Sequence, residues 1–209
     1  MKLEVLMYFE YGNREKEYLA SKDPILGRVI EKRGHIYRPV REDIFTSLIS
    51  HITGQQISSA AHRSVWARLE EKCHPINAEN LLALGPEETQ KVGLSFRKVE
   101  YMMSLAKKVV DKEIDLEALR KMSDIEVTKE LIKLKGVGEW TAEMLLIFCL
   151  QRPDVISFKD LAIKRGMSAL YGYENLDIKT FEKHRQIYSP YATVASLYLW
   201  EYSSGKIEI

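Results

Sequence analysis

Apolar residues recur at helical spacing along most of the chain. Between residues 44 and 52 they form one stripe, made of Ile44, Phe45, Leu48, Ile49 and Ile52. The segment 95–110 has the same periodicity, and the segment 139–150 is almost wholly apolar. Similar patterns predict further helices over residues 58–72, 123–133, 160–171, 178–187 and 190–200. No comparable strand pattern is present, so the sequence predicts an all-α fold.

Local signals mark where several of these helices begin and end. Asn77 is a suitable N-cap for a short helix through Leu82, and Gly85-Pro86 predicts a stop followed at once by a new start. Ser123 and Glu126 have the spacing of a capping box. The N-terminal segment 3–11 is compatible with an extended strand, but the sequence offers it no clear partner.

Composition narrows the class of protein. The chain has 209 residues, of which 45% are hydrophobic and 29% are charged, as in ordinary globular proteins. No apolar run approaches the roughly 20 residues that span a bilayer, and Glu4 and Glu10 interrupt the N-terminus, so we expect neither membrane span nor signal peptide. Two cysteines without a CxxC pair argue against an iron–sulfur cluster and fit a reducing cytoplasm. We expect a monomer from the size.

A glycine turn between two predicted helices suggests contact with a phosphate. The segment Leu134–Ala142 reads LKGVGEWTA, and Gly136 and Gly138 allow positive φ and close backbone approach. The helix after Gly138 would present its first N–H groups and its positive dipole end, which bind a DNA phosphate without lysine. A plain helix–helix connection is the alternative. The net charge of only +1 counts slightly against a nucleic-acid ligand.

Two further motifs favour the phosphate interpretation. Asp160 stands at the start of a predicted helix, twenty residues after Trp140, and the segment ITGQQISSAA (52–61) lies upstream of the turn. Together with the turn, these motifs resemble the helix-hairpin-helix DNA glycosylase superfamily, in which a GQQ[VI]S loop, an LPG[VI]G hairpin and an aspartate occur in this order. The resemblance covers about residues 23–200, and Lys135 replaces the usual proline.

The resemblance implies an architecture of two helical subdomains with the active-site cleft between them. The expected central domain spans 42–155 and contains the helix-hairpin-helix motif at about 124–150. Residues 1–41 and 156–209 are expected to form the second subdomain.

The residue at position 140 separates the subclasses of the family. Bifunctional members carry a lysine there that forms a Schiff base with the sugar, whereas this chain has Trp140. The pattern resembles the monofunctional branch of 3-methyladenine DNA glycosylase II, without its N-terminal β-rich region. The resemblance therefore implies excision of 3-methyladenine and 7-methylguanine from double-stranded DNA by base flipping. The alternatives are a bifunctional glycosylase/lyase for oxidised bases and a non-catalytic DNA-binding module.

The family pattern also assigns roles to individual residues. Asp160 would stabilise the oxocarbenium-like transition state, although it would also suit a simple helix N-cap. Gln56 or Ile57 would be the wedge that fills the gap left by the flipped base, although Gln55 and Gln56 could simply cap helix ends. Trp140, Tyr191 and Met144 would line the base pocket, where aromatic faces attract cationic bases, but core packing is the commoner fate of such residues.

The hairpin would contact the DNA backbone without any required cofactor. The resemblance places this contact at Gly136, Val137, Gly138, Glu139 and Thr141. It also allows a sodium or potassium ion on the main-chain carbonyls of Ile132, Leu134 and Val137. We expect a cytoplasmic, nucleoid-associated protein of prokaryotic type.

Overall fold

The chain folds into helices over nearly all of the residues that its computed structural model describes, which are 7–205 and 207. Within that range there are eleven α-helices, one short 3-10 helix and one two-stranded ribbon. The predicted all-α class is therefore confirmed. The chain divides into two compact units, of which one, here called the central unit, spans Arg41–Leu145. The other, the terminal unit, combines the residues up to Val40 with those from Leu146 onward.

Each unit has its own set of helices. The central unit contains α3 (Ile44–Gly54), α4 (Ser59–Lys72), α5 (Ala78–Lys91), α6 (Phe96–Val110), the 3-10 helix (Glu117–Lys121) and α7 (Asp124–Leu131). The terminal unit contains β1 (Met7–Tyr8), α1 (Asn13–Lys22), α2 (Pro24–Arg33), β2 (Pro39–Val40), α9 (Leu161–Tyr171), α10 (Ile178–Tyr188) and α11 (Ala192–Ser203). The boundary after Leu145 falls inside α8 (Glu139–Phe148).

The sequence patterns locate most helix ends correctly. Gly85 has φ 77° and ψ 164°, so α5 is two helical pieces joined at the predicted Gly-Pro break. The capping box at Ser123 is formed in both directions, with the Ser123 side chain accepting from the Glu126 N–H and the Glu126 carboxylate accepting from the Ser123 N–H. The last helix begins at Ala192 rather than at Pro190, because Tyr191 has a non-helical backbone (φ −122°, ψ 33°).

Two helices and one strand pairing were not predicted. In the first helix, α1, half of the residues are charged and only Leu19 is completely buried, so the helix lacks an apolar stripe. The second, α2, had a readable start, since Asp23 caps it through the Ile25 and Leu26 N–H groups ahead of an N-terminal proline.

The expected N-terminal strand has a partner that sequence inspection did not find. Of the segment 3–11, residues 3–6 lie outside the described residues. Met7 pairs with Val40 and Tyr8 with Pro39 in an antiparallel ribbon. This short ribbon fixes the segment that leads from α2 into the central unit.

A glycine allows α9 and α11 to approach each other closely in the terminal unit. A Cβ atom added at Gly166 would overlap the carbonyl oxygen of Leu199. Around this contact the unit buries a continuous core that includes Leu26, Val29, Ile163, Met167 and Tyr198. The close packing places the start of α9 beside the C-terminal half of α11, which matters for the site described below.

The central unit has its own buried residues on α3, α4, α5 and α6. Leu48, Ile52, Leu69, Leu81 and Met102 are all fully buried. Among the described residues, none of the helices combines the length and the apolar character needed to cross a lipid bilayer.

Candidate DNA-repair site

The predicted hairpin is formed as a tight turn between α7 and α8. The chain leaves α7 through Ile132, and the Val137 N–H donates to the Leu134 carbonyl at 3.1 Å. Leu134 and Val137 are buried and anchor the turn, whereas Gly138 and Glu139 are exposed. The Ala142 N–H donates to the Gly138 carbonyl, so the first helical turn of α8 begins at the end of the hairpin. The N-terminus of α8 and the positive end of its dipole therefore lie at an exposed loop.

The two glycines of the hairpin differ in backbone conformation and in surroundings. Gly136 has φ +80°, and a Cβ there would overlap the ring of Tyr101 on α6. Gly138 does not have positive φ, and a Cβ there would meet nothing within 4 Å. Gly136 is therefore required by the conformation of the turn, whereas Gly138 leaves the backbone on the outer side of the turn uncovered by any side chain. A bare backbone is what the close approach of a phosphate would need.

A side chain from the QQIS loop is bonded to the hairpin. The Gln55 Nε2 donates to the Gly136 carbonyl at 2.7 Å, and the Gln55 backbone forms the C-cap of α3. The next residue, Gln56, is exposed and has φ +55°, a conformation that non-glycine residues rarely adopt. Ile57 beside it is 38% exposed. Gln55 thus fixes the loop, and the two residues expected to form the wedge lie at its exposed end.

The lysines nearest the hairpin form ion pairs on the surface. Lys135 Nζ lies 2.8 Å from Glu100 Oε1, and Lys133 Nζ lies 2.7 Å from Glu130 Oε1. All four side chains are well exposed, so these pairs contribute little to stability. Neither lysine occupies position 140, where the bifunctional branch carries its amine.

Trp140 is the exposed aromatic residue on the first turn of α8. It is 36% exposed, and its ring and that of His51 are nearly perpendicular (82°), with centroids 6.5 Å apart. Met144, one turn later on α8, is only 3% exposed. Thr141 is also buried, so a DNA contact at this residue would involve its main-chain N–H rather than its side chain.

The imidazole of His51 is held neutral at physiological pH. Burial lowers its pKa to about 4, and the positive charges of Arg41 and His62 add to this effect. The His51 ring beside Trp140 therefore carries no positive charge of its own at this pH.

This shift predicts a pH-dependent stability. Between about pH 6.5 and pH 4 the unfolded state binds a proton at His51 that the folded state refuses, so stability falls as the pH is lowered. Between pH 7 and pH 4.5 the free energy of unfolding should fall by about 1–3 kcal/mol less in His51→Asn than in wild type. Urea unfolding at both pH values measures this difference. His74→Asn, at an exposed histidine, serves as control and should keep the full dependence. Equal losses in wild type and His51→Asn would contradict the assignment.

Asp160 is held as a buried carboxylate at the N-terminus of α9. It is 8% exposed, and its Oδ1 accepts from the N–H groups of Ala162 and Ile163, both at 2.9 Å. The Trp200 indole Nε1 donates to the same oxygen at 3.1 Å. Three N–H donors and the positive end of the helix dipole are suitable partners for a negatively charged carboxylate. The N-cap role and the proposed catalytic role are therefore compatible in one side chain.

The other predicted pocket residue of the terminal unit lies at the start of α11. Tyr191 is half-buried, and the Tyr18 ring contacts it edge-on with centroids 5.2 Å apart. The Tyr18 hydroxyl donates to the Ser189 carbonyl at 2.7 Å and so fixes the turn before Tyr191. Asp154, the other carboxylate of this region, accepts from the Ser189 hydroxyl and the Ala192 N–H, which gives it a structural role at the same turn.

The predicted residues thus form one group in each unit. The hairpin, Trp140 and Met144 belong to the central unit, where Gln55 ties the loop of Gln56 and Ile57 to the hairpin. Asp160 and Tyr191 belong to the terminal unit. The sequence did not predict the contacts of Gln55, Tyr101 and Trp200 with the site, because each contact joins segments that are far apart in the chain.

The comparison with protein families decides the identity of this arrangement. The family model described as "HhH-GPD superfamily base excision DNA repair protein" matches residues 49–190, which include the QQIS loop, the hairpin and Asp160. The chain belongs to this superfamily. The helix-hairpin-helix motif that names it is the α7–hairpin–α8 segment described above.

Several members of the superfamily resemble the chain over nearly its full length. DNA-3-methyladenine glycosylase 1 of Schizosaccharomyces pombe is 30% identical, with 89% of this chain and 85% of the relative covered. The crystal structure of DNA-3-methyladenine glycosidase from Bacillus halodurans has a TM-score of 0.82 at 33% identity, covering 95% of this chain and 93% of that one. The S. pombe 3-methyladenine DNA glycosylase in complex with abasic DNA has a TM-score of 0.82 at 27% identity, covering 93% and 97%.

These findings confirm the predicted family and enzyme class. The chain is a DNA glycosylase of the helix-hairpin-helix superfamily, an N-glycosyl hydrolase of base excision repair that acts on DNA.

Proposed function

We propose that the chain is a monofunctional glycosylase that removes 3-methyladenine and 7-methylguanine from double-stranded DNA. The observation that carries the proposal is the combination of Trp140 at the position of the lyase amine with the fixed carboxylate of Asp160. Without an amine at that position, water has to be the nucleophile, and the product is an abasic site. The names of the similar glycosylases support the substrate class.

Alkylated purines do not need a general acid in order to leave. Methylation at N3 of adenine or N7 of guanine gives the base a positive charge, so the bond to the sugar breaks without prior protonation. An ionised Asp160 then stabilises the positive charge that develops on the sugar and orients the attacking water. Trp140, Tyr191 and Met144 are the proposed contacts of the cationic base, because aromatic faces attract cations. The neutral His51 ring would not oppose its charge.

The remaining residues would hold the DNA. In this proposal the main chain of the hairpin, from Gly136 to Thr141, binds the phosphate next to the flipped nucleotide. Gln56 or Ile57 enters the helix in place of the extruded base, which costs a few kcal/mol to unstack. The protein would act as a monomer, on the nucleoid in a prokaryotic cytoplasm.

The hairpin also has the donors for an alkali-metal ion. The carbonyls of Ile132, Leu134 and Val137 are hard oxygen donors, which suit Na⁺ or K⁺. The Leu134 carbonyl already accepts the Val137 N–H, and its second lone pair remains suitable for a cation. Such an ion would bridge the hairpin to phosphate, and we propose no step of the reaction through it.

The substrate class is tested with duplexes that each contain one lesion. We expect release of 7-methylguanine and 3-methyladenine at rates at least about 10²-fold above those for 8-oxoguanine, because a cationic leaving group is worth several kcal/mol in the transition state. Free base is measured by chromatography under single-turnover conditions. Preferential release of 8-oxoguanine would favour an oxidised-base enzyme, and binding without release of any base would favour a non-catalytic module.

A further inference from the structure

The Asp160 carboxylate has a partner from a distant part of the chain. Trp200 lies forty residues later, near the end of α11, and its indole N–H reaches Asp160 Oδ1 at 3.1 Å. The close packing of α9 on α11 at Gly166 makes this contact geometrically available. Asp160 also caps its own helix through Oδ1, so this one oxygen accepts hydrogen bonds from three N–H groups.

The Trp200 ring is itself held between other side chains. The Phe148 ring lies against it with centroids 5.5 Å apart at 33°. The Arg38 guanidinium lies 4.8 Å from the Phe148 centroid and 5.8 Å from the Trp200 centroid. The charge of Arg38 also interacts with the carboxylates of Asp160 and Glu201. The indole is therefore fixed in the plane that its hydrogen bond requires.

We propose that Trp200 is a positioning residue that acts through Asp160, and that it fixes the carboxylate in the orientation used for base release. The two cap bonds come from adjacent N–H groups of the same helical turn. The indole N–H reaches the same oxygen from a different helix and so adds a donor from another direction. Since a carboxylate is planar, fixing Oδ1 in this way also fixes the direction of Oδ2. This inference rests on the proposed function, because it concerns the same reaction.

The test is the variant Trp200→Phe, which keeps an aromatic ring between Phe148 and Arg38 but removes the N–H. We expect kcat for 7-methylguanine release to fall about 10- to 100-fold, as for loss of one hydrogen bond to a charged group. Affinity for DNA with an abasic-site analogue should stay within about twofold.

A matched control exists in the central unit. The Trp66 indole donates to the Glu70 Oε1 at 2.6 Å, and the Arg41 guanidinium lies 4.7 Å from the Trp66 ring centroid. Trp66→Phe thus removes the same type of bond beside the same type of cation, in the unit that does not contain Asp160. We expect its kcat and its affinity for abasic-site DNA to match those of wild type.

The outcomes separate the inference from the proposed function. Wild-type release of 7-methylguanine tests the function, whereas the ratio of Trp200→Phe to Trp66→Phe tests the role of Trp200. A Trp200→Phe enzyme with wild-type kcat, or one whose DNA affinity falls as much as its kcat, would overturn the inference. If Trp200→Phe does not fold, 3-benzothienylalanine at position 200, which replaces the indole N–H by sulfur at nearly equal shape, gives the same two readouts.

Discussion

Replacing Asp160 by asparagine is expected to reduce base release about 10²- to 10⁴-fold, the range for loss of a catalytic carboxylate. Asparagine keeps a side-chain oxygen for the Ala162 and Ile163 N–H groups, and it caps helices as well as aspartate does. The fold and the affinity for abasic-site DNA should therefore survive. What the variant loses is the negative charge opposite the developing sugar cation.

The control for this prediction is Asp177→Asn. Asp177 caps α10 through the Thr180 N–H at 2.7 Å and is exposed, so the change repeats the chemistry at a helix cap outside the proposed site. Release rates are measured by single-turnover assays on a 7-methylguanine duplex, with thermal melts to monitor folding. If Asp160→Asn released base as fast as Asp177→Asn, the assignment of the catalytic carboxylate would be wrong.

Replacing Gly136 by alanine is expected to be the most damaging single methyl addition in the hairpin. The change combines a left-handed backbone, which costs roughly 1–2 kcal/mol, with overlap against the Tyr101 ring, which costs roughly 1–3 kcal/mol. Because a whole domain is stable by only about 5–15 kcal/mol, we expect a clear fall in urea-unfolding stability. Affinity for abasic-site DNA should fall at least about tenfold, because the Gly136 carbonyl would lose its geometry with Gln55.

Gly138→Ala separates the shape of the turn from its exposed surface. A Cβ at Gly138 would contact nothing within 4 Å, and the backbone there does not have a positive φ. The free energy of unfolding should therefore change by less than about 1 kcal/mol. If a phosphate approaches there, DNA affinity should nevertheless fall. The double variant Gly136→Ala, Tyr101→Ala should recover the part of the stability lost to overlap. Unchanged DNA affinity in both single variants would contradict the role of the hairpin as a phosphate clamp.

The helices that sequence inspection predicted are those with an apolar stripe or a clear cap. The stripe from Ile44 to Ile52 became α3, and the Ser123 capping box became the start of α7. The helix α1 had no such signal, because its stability depends on packing around Leu19 rather than on a stripe of its own. Helix α2 did have such a signal, the N-cap Asp23 followed by Pro24, but the sequence pattern was not recognised as a helix start. Local physics therefore explains most of the fold, and tertiary packing explains the rest.

The candidate site was predictable only as far as its motifs are local. The hairpin and the position of Asp160 follow from short segments whose geometry is set by glycines and helix starts. The contacts of Gln55 with Gly136 and of Trp200 with Asp160 join residues 81 and 40 positions apart, and no local pattern signals either of them. The proposed pocket roles of Trp140, Tyr191 and Met144 remain predictions, as do those of Gln56 and Ile57.

The most direct test of the central claim is borohydride trapping during turnover of a duplex with a single 7-methylguanine. The claim is that Asp160 promotes hydrolysis at a site where an indole replaces the amine. It predicts free base, an unbroken strand with an alkali-labile abasic site, and no covalent protein–DNA adduct. An adduct formed in proportion to base release would show that an amine attacks the sugar, and it would contradict the claim.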